Sequence, residues 1–166
     1  FSIVPDSIDA SFVLGGQGNL WAESIPHYRQ VEYMTWPRAM AISETLWNET
    51  DSRNWDFFIQ RVESQFRYLD RLNVNYARSI YDPIISPPIN DGELRIELTT
   101  EISGLDIFYT FDNTNPDCYS NLYTTALSVP KNATVLKVVT YRGKCPIGKP
   151  INLTIEELKE RAKKKE

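Results

Sequence analysis

The spacing of apolar residues changes once along this chain, at a proline-rich stretch that spans residues 81–88. Before this stretch, large apolar residues recur at the three- and four-residue spacing of an amphipathic helix: Trp55, Phe58, Ile59, Val62, Phe66 and Leu69. After it, Leu94, Ile96 and Leu98 alternate with polar residues, as in a strand with one buried and one wet face. A helical pattern followed by an alternating one predicts two domains, residues 1–80 and 81–166.

Three helices are predicted in the first domain. A helical stretch covers Tyr28–Thr35, and Pro37 then interrupts it and opens a second segment, as a first-turn proline, that reaches Trp47. Asn54 is the N-cap candidate of the third helix, which carries the apolar stripe and should end near Asn73. The apolar faces of the last two helices require a partner surface.

The second domain is predicted to be a small antiparallel β-sandwich of the immunoglobulin-like kind. Besides the alternating strand around Ile96, strand candidates cover residues 107–111, 121–124, 134–141 and 147–153, with turn clusters between them. The stretch 155–165 is rich in Glu, Lys and Ala, so a short and mostly exposed terminal helix should follow.

Composition excludes some classes of partner. The net charge of −4 and the pI near 5.1 argue against nucleic-acid binding, and the basic run 163–165 is expected to be a solvated tail. No apolar stretch approaches the length of a membrane span. With one His and two distant cysteines, no metal site is predicted. Cys118 and Cys145 could form a disulfide or remain free thiols.

The segment from residue 12 to residue 23 carries the candidate site. Its apolar start, residues 12–14, predicts a buried strand, and the glycines that follow allow the backbone to turn or to approach a neighbour closely. Trp21 and Glu23, two apart on an extended segment, would project the same way. An indole can cover the C–H face of a sugar while a carboxylate accepts hydrogen bonds from its hydroxyls. The alternative interpretation is a packing Trp and a solvated Glu.

The same segment resembles a known family. The sequence GGQGNLWAE at 15–23, with VEYM at 31–34 and WPR at 36–38, is similar to the end of the catalytic barrel of family-20 glycoside hydrolases, the β-N-acetylhexosaminidases. The second half resembles the small C-terminal β domain that such enzymes often carry. The resemblance therefore implies an α+β fragment, in which the last strand and helices of a (β/α)8 barrel precede the β-sandwich.

The resemblance also implies a reaction and two binding residues. Family members remove terminal N-acetylhexosamines with retention, and the acetamido oxygen of the sugar attacks the anomeric carbon. Trp21 matches the aromatic wall of the sugar pocket, and Glu23 matches the carboxylate that binds the distal hydroxyls. The family's acid/base is an adjacent Asp-Glu pair, which this sequence lacks, so no catalytic residue is assigned. No cofactor is expected, and the family's compartment is periplasmic, secreted or lysosomal.

Other residues in the matched part are expected to be structural. His27 should cap or pack a helix start, and Arg38 and Glu44 should form an ion pair or interhelical hydrogen bonds. Asp91-Gly92-Glu93 is the nearest sequence to the missing Asp-Glu pair, but it is better explained as a turn that leads into a strand.

Two further expectations concern the chain as a whole. One alternative function is a non-catalytic carbohydrate-binding or structural module. In addition, a single barrel strand without its neighbours leaves backbone groups unpaired. Residues before about Pro26 should therefore lose their strand conformation, and the chain should self-associate through its helical half.

Overall fold

The computed structural model describes residues 7–23, 25–90 and 93–163, and it divides the chain into two compact units, residues 1–77 and 78–166. The first unit is helical, and the second is built mainly from strands. Within the described residues, no helix is both long enough and apolar enough to cross a membrane.

The three predicted helices of the first unit are confirmed. They are α1 (Tyr28–Thr35), α2 (Arg38–Trp47) and α3 (Trp55–Arg71), with short 3-10 turns at Ala10–Phe12 and Thr50–Ser52. Asn54 caps α3 as predicted, because its side-chain oxygen accepts a hydrogen bond from the backbone N–H of Phe57 at 3.0 Å. Pro37 takes the N-cap position of α2 and not its first turn, since the helix begins at Arg38.

Helix α3 ends close to the predicted residue for a clear reason. Asn73 adopts a left-handed φ of 54°, and the N–H of Val74 donates to the carbonyl of Leu69 at 2.9 Å. The N–H of Asn73 donates to the carbonyl of Asp70 at 3.1 Å. These two bonds form a Schellman motif, which satisfies carbonyls that the helix end would otherwise leave unpaired.

The apolar stripe of α3 is buried except at its first residue. The buried members are Phe58, Ile59, Val62, Phe66 and Leu69. Trp55 is exposed, which corrects the prediction for that position: it lies in the first turn, and its ring is tilted against that of Phe58, with 5.6 Å between ring centroids.

The predicted strand at residues 12–14 is wrong for this chain. Phe12 ends a 3-10 turn, and residues 13–23 form no strand. Phe12 and Leu14 are exposed. No strand of the described residues pairs with this segment, and an extended segment without a partner leaves its N–H and C=O groups to water. The expectation that residues before Pro26 lose the strand conformation is therefore confirmed for the part described.

The second unit contains two antiparallel sheets. Their strands are β1 (Ile84–Ser86), β2 (Ile89–Asn90), β3 (Glu93–Thr99), β4 (Asp106–Thr110), β5 (Asn121–Leu122), β6 (Leu127–Ser128), β7 (Val135–Arg142), β8 (Cys145–Pro146) and β9 (Ile151–Thr154). In one sheet β3 pairs with β1, β2 and β6. In the other, β7 pairs with β4, β8 and β9, and β4 also pairs with β5.

Both sheets contribute to one hydrophobic core. Ile96 of β3 and Leu127 of β6 meet Leu136 and Val138 of β7 there. Alternation along each strand brings these side chains to one face. The unit is thus a two-layered β structure around a shared core.

The terminal helix is confirmed as α4 (Ile155–Lys163), and most of its residues are exposed, as predicted. Ile155, Leu158 and Ala162 are buried, and Ile155 and Leu158 belong to the core between the sheets. Its start is fixed by a capping box: the N–H of Glu157 donates to Thr154 Oγ1, and the N–H of Thr154 donates to Glu157 Oε2 at 2.8 Å.

Several strands differ from the predicted ranges. Strand β1 lies inside the proline-rich stretch that was expected to be a connection, and it pairs with β3 from Ile84 opposite Thr99. In the candidate range 147–153, only residues 151–153 lie in a strand, β9, which ends at Thr154. A Cβ atom on Gly148 would lie 2.5 Å from the carbonyl oxygen of Tyr81, so this close approach requires glycine there. The expected turn at residues 91 and 92 lies outside the described residues.

We predict that Phe66→Ala destabilises the helical unit strongly. Phe66 is 3% exposed, and its ring centroid lies 4.2 Å from that of Tyr76, so truncation leaves a cavity and costs about 3–5 kcal/mol. The control is Phe57→Ala on the same helix, where the side chain is 61% exposed. Urea unfolding followed by helical circular dichroism measures both, and equal losses would contradict the prediction.

Candidate functional site

The glycine-rich segment lies directly on helix α2. A Cβ atom on Gly16 would lie 2.7 Å from Leu46 Cδ2, and one on Gly18 would lie 2.6 Å from Ile42 Cδ1. Ile42 and Leu46 are four residues apart and so share one face of α2. The two glycines therefore let the backbone of the segment run close over that face, which agrees with the close approach expected from the sequence.

The structure leaves Trp21 and Glu23 exposed at the end of this segment. Trp21 is 73% exposed, and Glu23 lies in a turn in which the N–H of Ile25 donates to the carbonyl of Ala22 at 3.1 Å. Because residues 21–23 are not a strand, the alternation that would point both side chains the same way is absent. Neither residue lines the cavities described below.

The other polar residues of the segment interact locally. Gln17 Nε2 donates a hydrogen bond to Asn19 Oδ1 at 2.5 Å, so the two side chains satisfy each other on the exposed surface. Neither was assigned a role from the sequence.

The residues predicted to be structural have structural partners. His27 is the N-cap of α1, and its Nδ1 accepts a hydrogen bond from the N–H of Gln30 at 3.2 Å. Arg38 Nη1 donates to the carbonyls of Tyr33 and Met34, both at 3.1 Å, and so caps the end of α1.

Glu44 of α2 forms an ion pair with Arg61 of α3. The expectation of an interhelical interaction is confirmed for this carboxylate.

Two cavities of the helical unit were not predicted. A groove of about 510 Å³ runs between α2 and α3, and the Glu44–Arg61 ion pair, Trp36 and Trp47 line part of it. A neighbouring cavity of about 300 Å³ is lined in part by Arg53 and Trp55. Arg53 Nη2 donates to the carbonyl of Thr45 at 2.7 Å, so its guanidinium is engaged at the end of α2.

A third cavity, of about 430 Å³, belongs to the β unit. It combines apolar and polar side chains, namely Thr110, Phe111, Asp112, Asn121, Pro130, Asn132 and Ala133. The sequence predicted strands for Thr110, Phe111 and Asn121 and a turn for Asp112, and no short motif unites the lining residues, because they come from three separate segments. In the described part of the chain, no cluster of three or more His, Cys, Asp or Glu could hold a metal ion. Cys118 and Cys145 are both free thiols.

Comparisons with known proteins match both halves of the chain. Residues 4–50 match the family described as Glycosyl hydrolase family 20, catalytic domain, and residues 90–144 match the Chitobiase/beta-hexosaminidase C-terminal domain. A Beta-hexosaminidase of Porphyromonas gingivalis is 27% identical over 159 residues, which cover 87% of this chain and 20% of that protein.

Two further relatives match less of the chain. A Beta-hexosaminidase of Akkermansia muciniphila is 29% identical over 72 residues, which cover 43% of this chain and 15% of that protein. A Beta-N-acetylhexosaminidase of Cellulomonas fimi is 28% identical over 67 residues, which cover 40% of this chain and 14% of that protein.

These matches confirm the resemblance found in the sequence. The first part of the chain is similar to part of a family-20 glycosyl hydrolase catalytic domain, and the second part is similar to a chitobiase/beta-hexosaminidase C-terminal domain. It spans 20% of the length of the Porphyromonas relative.

We predict that the chain self-associates through its helical unit, because apolar side chains there remain in contact with water. Trp47 is 87% exposed and Tyr119 of the β unit is 89% exposed, so the two offer a matched comparison. If Trp47 is buried between two copies of the chain, Trp47→Ser should raise the dissociation constant of self-association about tenfold or more, as loss of an aromatic anchor from an interface does. Tyr119→Ser should leave this dissociation constant unchanged. Light scattering across a dilution series measures both. A monomer at every concentration would refute the prediction.

Proposed function

We propose that this chain is the C-terminal part of a retaining β-N-acetylhexosaminidase, a glycoside hydrolase that removes terminal N-acetylhexosamines by substrate-assisted hydrolysis. The observation that carries the proposal is the order of the two family matches: part of a family-20 catalytic domain at 4–50, then the C-terminal domain at 90–144. The three relatives above carry hexosaminidase names, and one of them aligns across both halves.

The proposal includes the architecture of the longer protein. Residues 1–80 are the last strand and helices of a (β/α)8 barrel, and residues 81–166 are an immunoglobulin-like β-sandwich with a short terminal helix. The two sheets around one core and the buried face of α4 support the second assignment. The helix pair α2 and α3 and the glycine segment over α2 support the first.

In the barrel, segment 12–23 regains its strand. There the neighbouring strand pairs its backbone, and Trp21 and Glu23 reach the C-terminal end of the strands, where barrel active sites lie. The indole of Trp21 then covers the apolar face of the terminal sugar. The carboxylate of Glu23 accepts charge-assisted hydrogen bonds from its distal hydroxyls.

Chemistry at the anomeric carbon needs groups that this chain does not carry. The acetamido oxygen of the sugar attacks the anomeric carbon, the Asp of the Asp-Glu pair orients the acetamido group, and the Glu protonates the leaving oxygen and later deprotonates water. No Asp-Glu dipeptide occurs in the sequence. The chain alone is therefore inactive, and its contribution is to bind and position the sugar.

The first test is turnover by the purified 166-residue chain. We expect no hydrolysis of an aryl N-acetylglucosaminide, because the acid/base pair is missing. A longer protein that includes the preceding part of the catalytic domain should cleave the same substrate. Turnover by the short chain that disappears in Glu23→Gln would contradict the prediction.

The second test is Glu23→Gln in that longer protein. Loss of a charge-assisted hydrogen bond should cost roughly 1.5–3 kcal/mol, which lowers kcat/KM by about tenfold to a hundredfold. The control is Glu49→Gln, another exposed carboxylate of the segment that matches the catalytic domain. An unchanged kcat/KM for Glu23→Gln would remove this residue from the site.

A further inference from the structure

The cavity of the β unit is a second place where a sugar could bind. Its volume of about 430 Å³ falls within the usual range of small-molecule sites, roughly 300–1,000 Å³. Its lining is divided into an apolar part, Phe111, Pro130 and Ala133, and a polar part, Asp112, Asn121 and Asn132. Such a division suits a ligand that has both an apolar face and hydrogen-bonding groups at its edge.

Phe111 presents a fixed aromatic ring to this cavity. The ring is half-buried and packs against the main core of the β unit. It also meets Tyr109 edge to face, with 5.7 Å between centroids and an interplanar angle of 75°. A ring that is held in place by packing loses little entropy when a ligand stacks on it.

The carboxylate of Asp112 is also held in place. Its Oδ1 accepts hydrogen bonds from Thr114 Oγ1 at 2.6 Å and from the N–H of Thr114 at 3.0 Å. These two bonds lower the pKa of Asp112, so the carboxylate stays ionised at pH values below those at which an aspartate is usually protonated. Both bonds from Thr114 go to Oδ1, so Oδ2 of this exposed carboxylate is able to accept bonds from a ligand.

The turn that carries Asp112 is anchored from β7. Lys137 Nζ donates to the carbonyl of Asn113 at 2.7 Å and to Asn115 Oδ1 at 3.1 Å. The exposed side chains of Asn121 and Asn132 complete the polar part of the lining with amides that can both donate and accept.

From this arrangement we propose that the cavity binds a neutral saccharide unit, with the apolar face of the sugar on Phe111 and its hydroxyls on Asp112, Asn121 and Asn132. No Lys or Arg lines the cavity, and the ammonium of Lys137 is engaged by the turn at Asn113 and Asn115, so a phosphate or sulfate ester would meet the Asp112 carboxylate without a cation in direct contact. The site does not depend on hydrolysis, since a module without catalytic activity would carry it equally well. It gives the alternative function of carbohydrate binding a definite location.

The test is a titration of the isotope-labelled 166-residue chain with N-acetylglucosamine and with glucose, followed by amide NMR shifts. Binding of either sugar should shift the amide signals of residues 110–112, 121 and 131–133, and glycerol at equal concentration should not. No shift with either sugar, or equal shifts with glycerol, would overturn the proposal. Because no turnover is measured, failure here leaves the hydrolase proposal standing.

Variants then test the role of the carboxylate. Asp112→Asn keeps an oxygen that accepts the Thr114 bonds but removes the charge, and it should raise the dissociation constant of the sugar about tenfold. Asp117→Asn is the matched control: Asp117 Oδ1 accepts from the N–H of Tyr119 at 2.9 Å and from Ser120 Oγ at 3.0 Å, in the same kind of turn, but the residue does not line the cavity. Equal weakening by both variants would show a general charge effect and overturn the proposed contact.

Discussion

Each strand of this chain depends on a neighbour that can pair its backbone N–H and C=O groups. Strand β7 shows the rule, since it pairs with β4, β8 and β9 and lies at the centre of its sheet. The apolar segment 12–14 shows the opposite case: no described strand pairs with it, and it is not a strand. The cost of unpaired backbone groups outweighs the β propensity of Phe and Val there. Gly16 and Gly18 of the same segment lie against a face of α2 and not in a sheet.

Features that depend on a few neighbouring residues were predictable from the sequence. The caps at His27 and Asn54 and the extent of α3 follow from local hydrogen bonds and helical spacing. Features that depend on contacts between distant residues were not predictable in this way. Strand β1 exists because β3 pairs with it, although prolines flank it. A mostly exposed helix α4 was predicted correctly, but the full burial of Leu158 in the core of the β unit was not, because no local pattern reveals it.

The two candidate sites also differ in how far the sequence alone could identify them. Trp21 and Glu23 were assigned by resemblance. The sequence identifies the residue types, but it does not supply the strand pairing that would orient the two side chains. The cavity at Asp112 could not be predicted, because the pairing of β4 with β5 brings Asn121 near Phe111, and Asn132 comes from a third segment. Asp112 and Asp117 look alike in the sequence and make similar turns. Only the fold distinguishes the aspartate that lines a cavity from the one that does not.

The two proposed sugar sites differ in what each can contribute. A single neutral saccharide in an open cavity gains a few hydrogen bonds and one stacking contact, so binding in the millimolar range is expected. Such affinity would be of little use in an isolated module. On the same polypeptide as a catalytic domain, however, a weak site raises the effective concentration of glycan near the enzyme, and the gain depends on the span between the sites. A carbohydrate-binding β unit and a hydrolytic parent are therefore compatible, because each would make the other more effective.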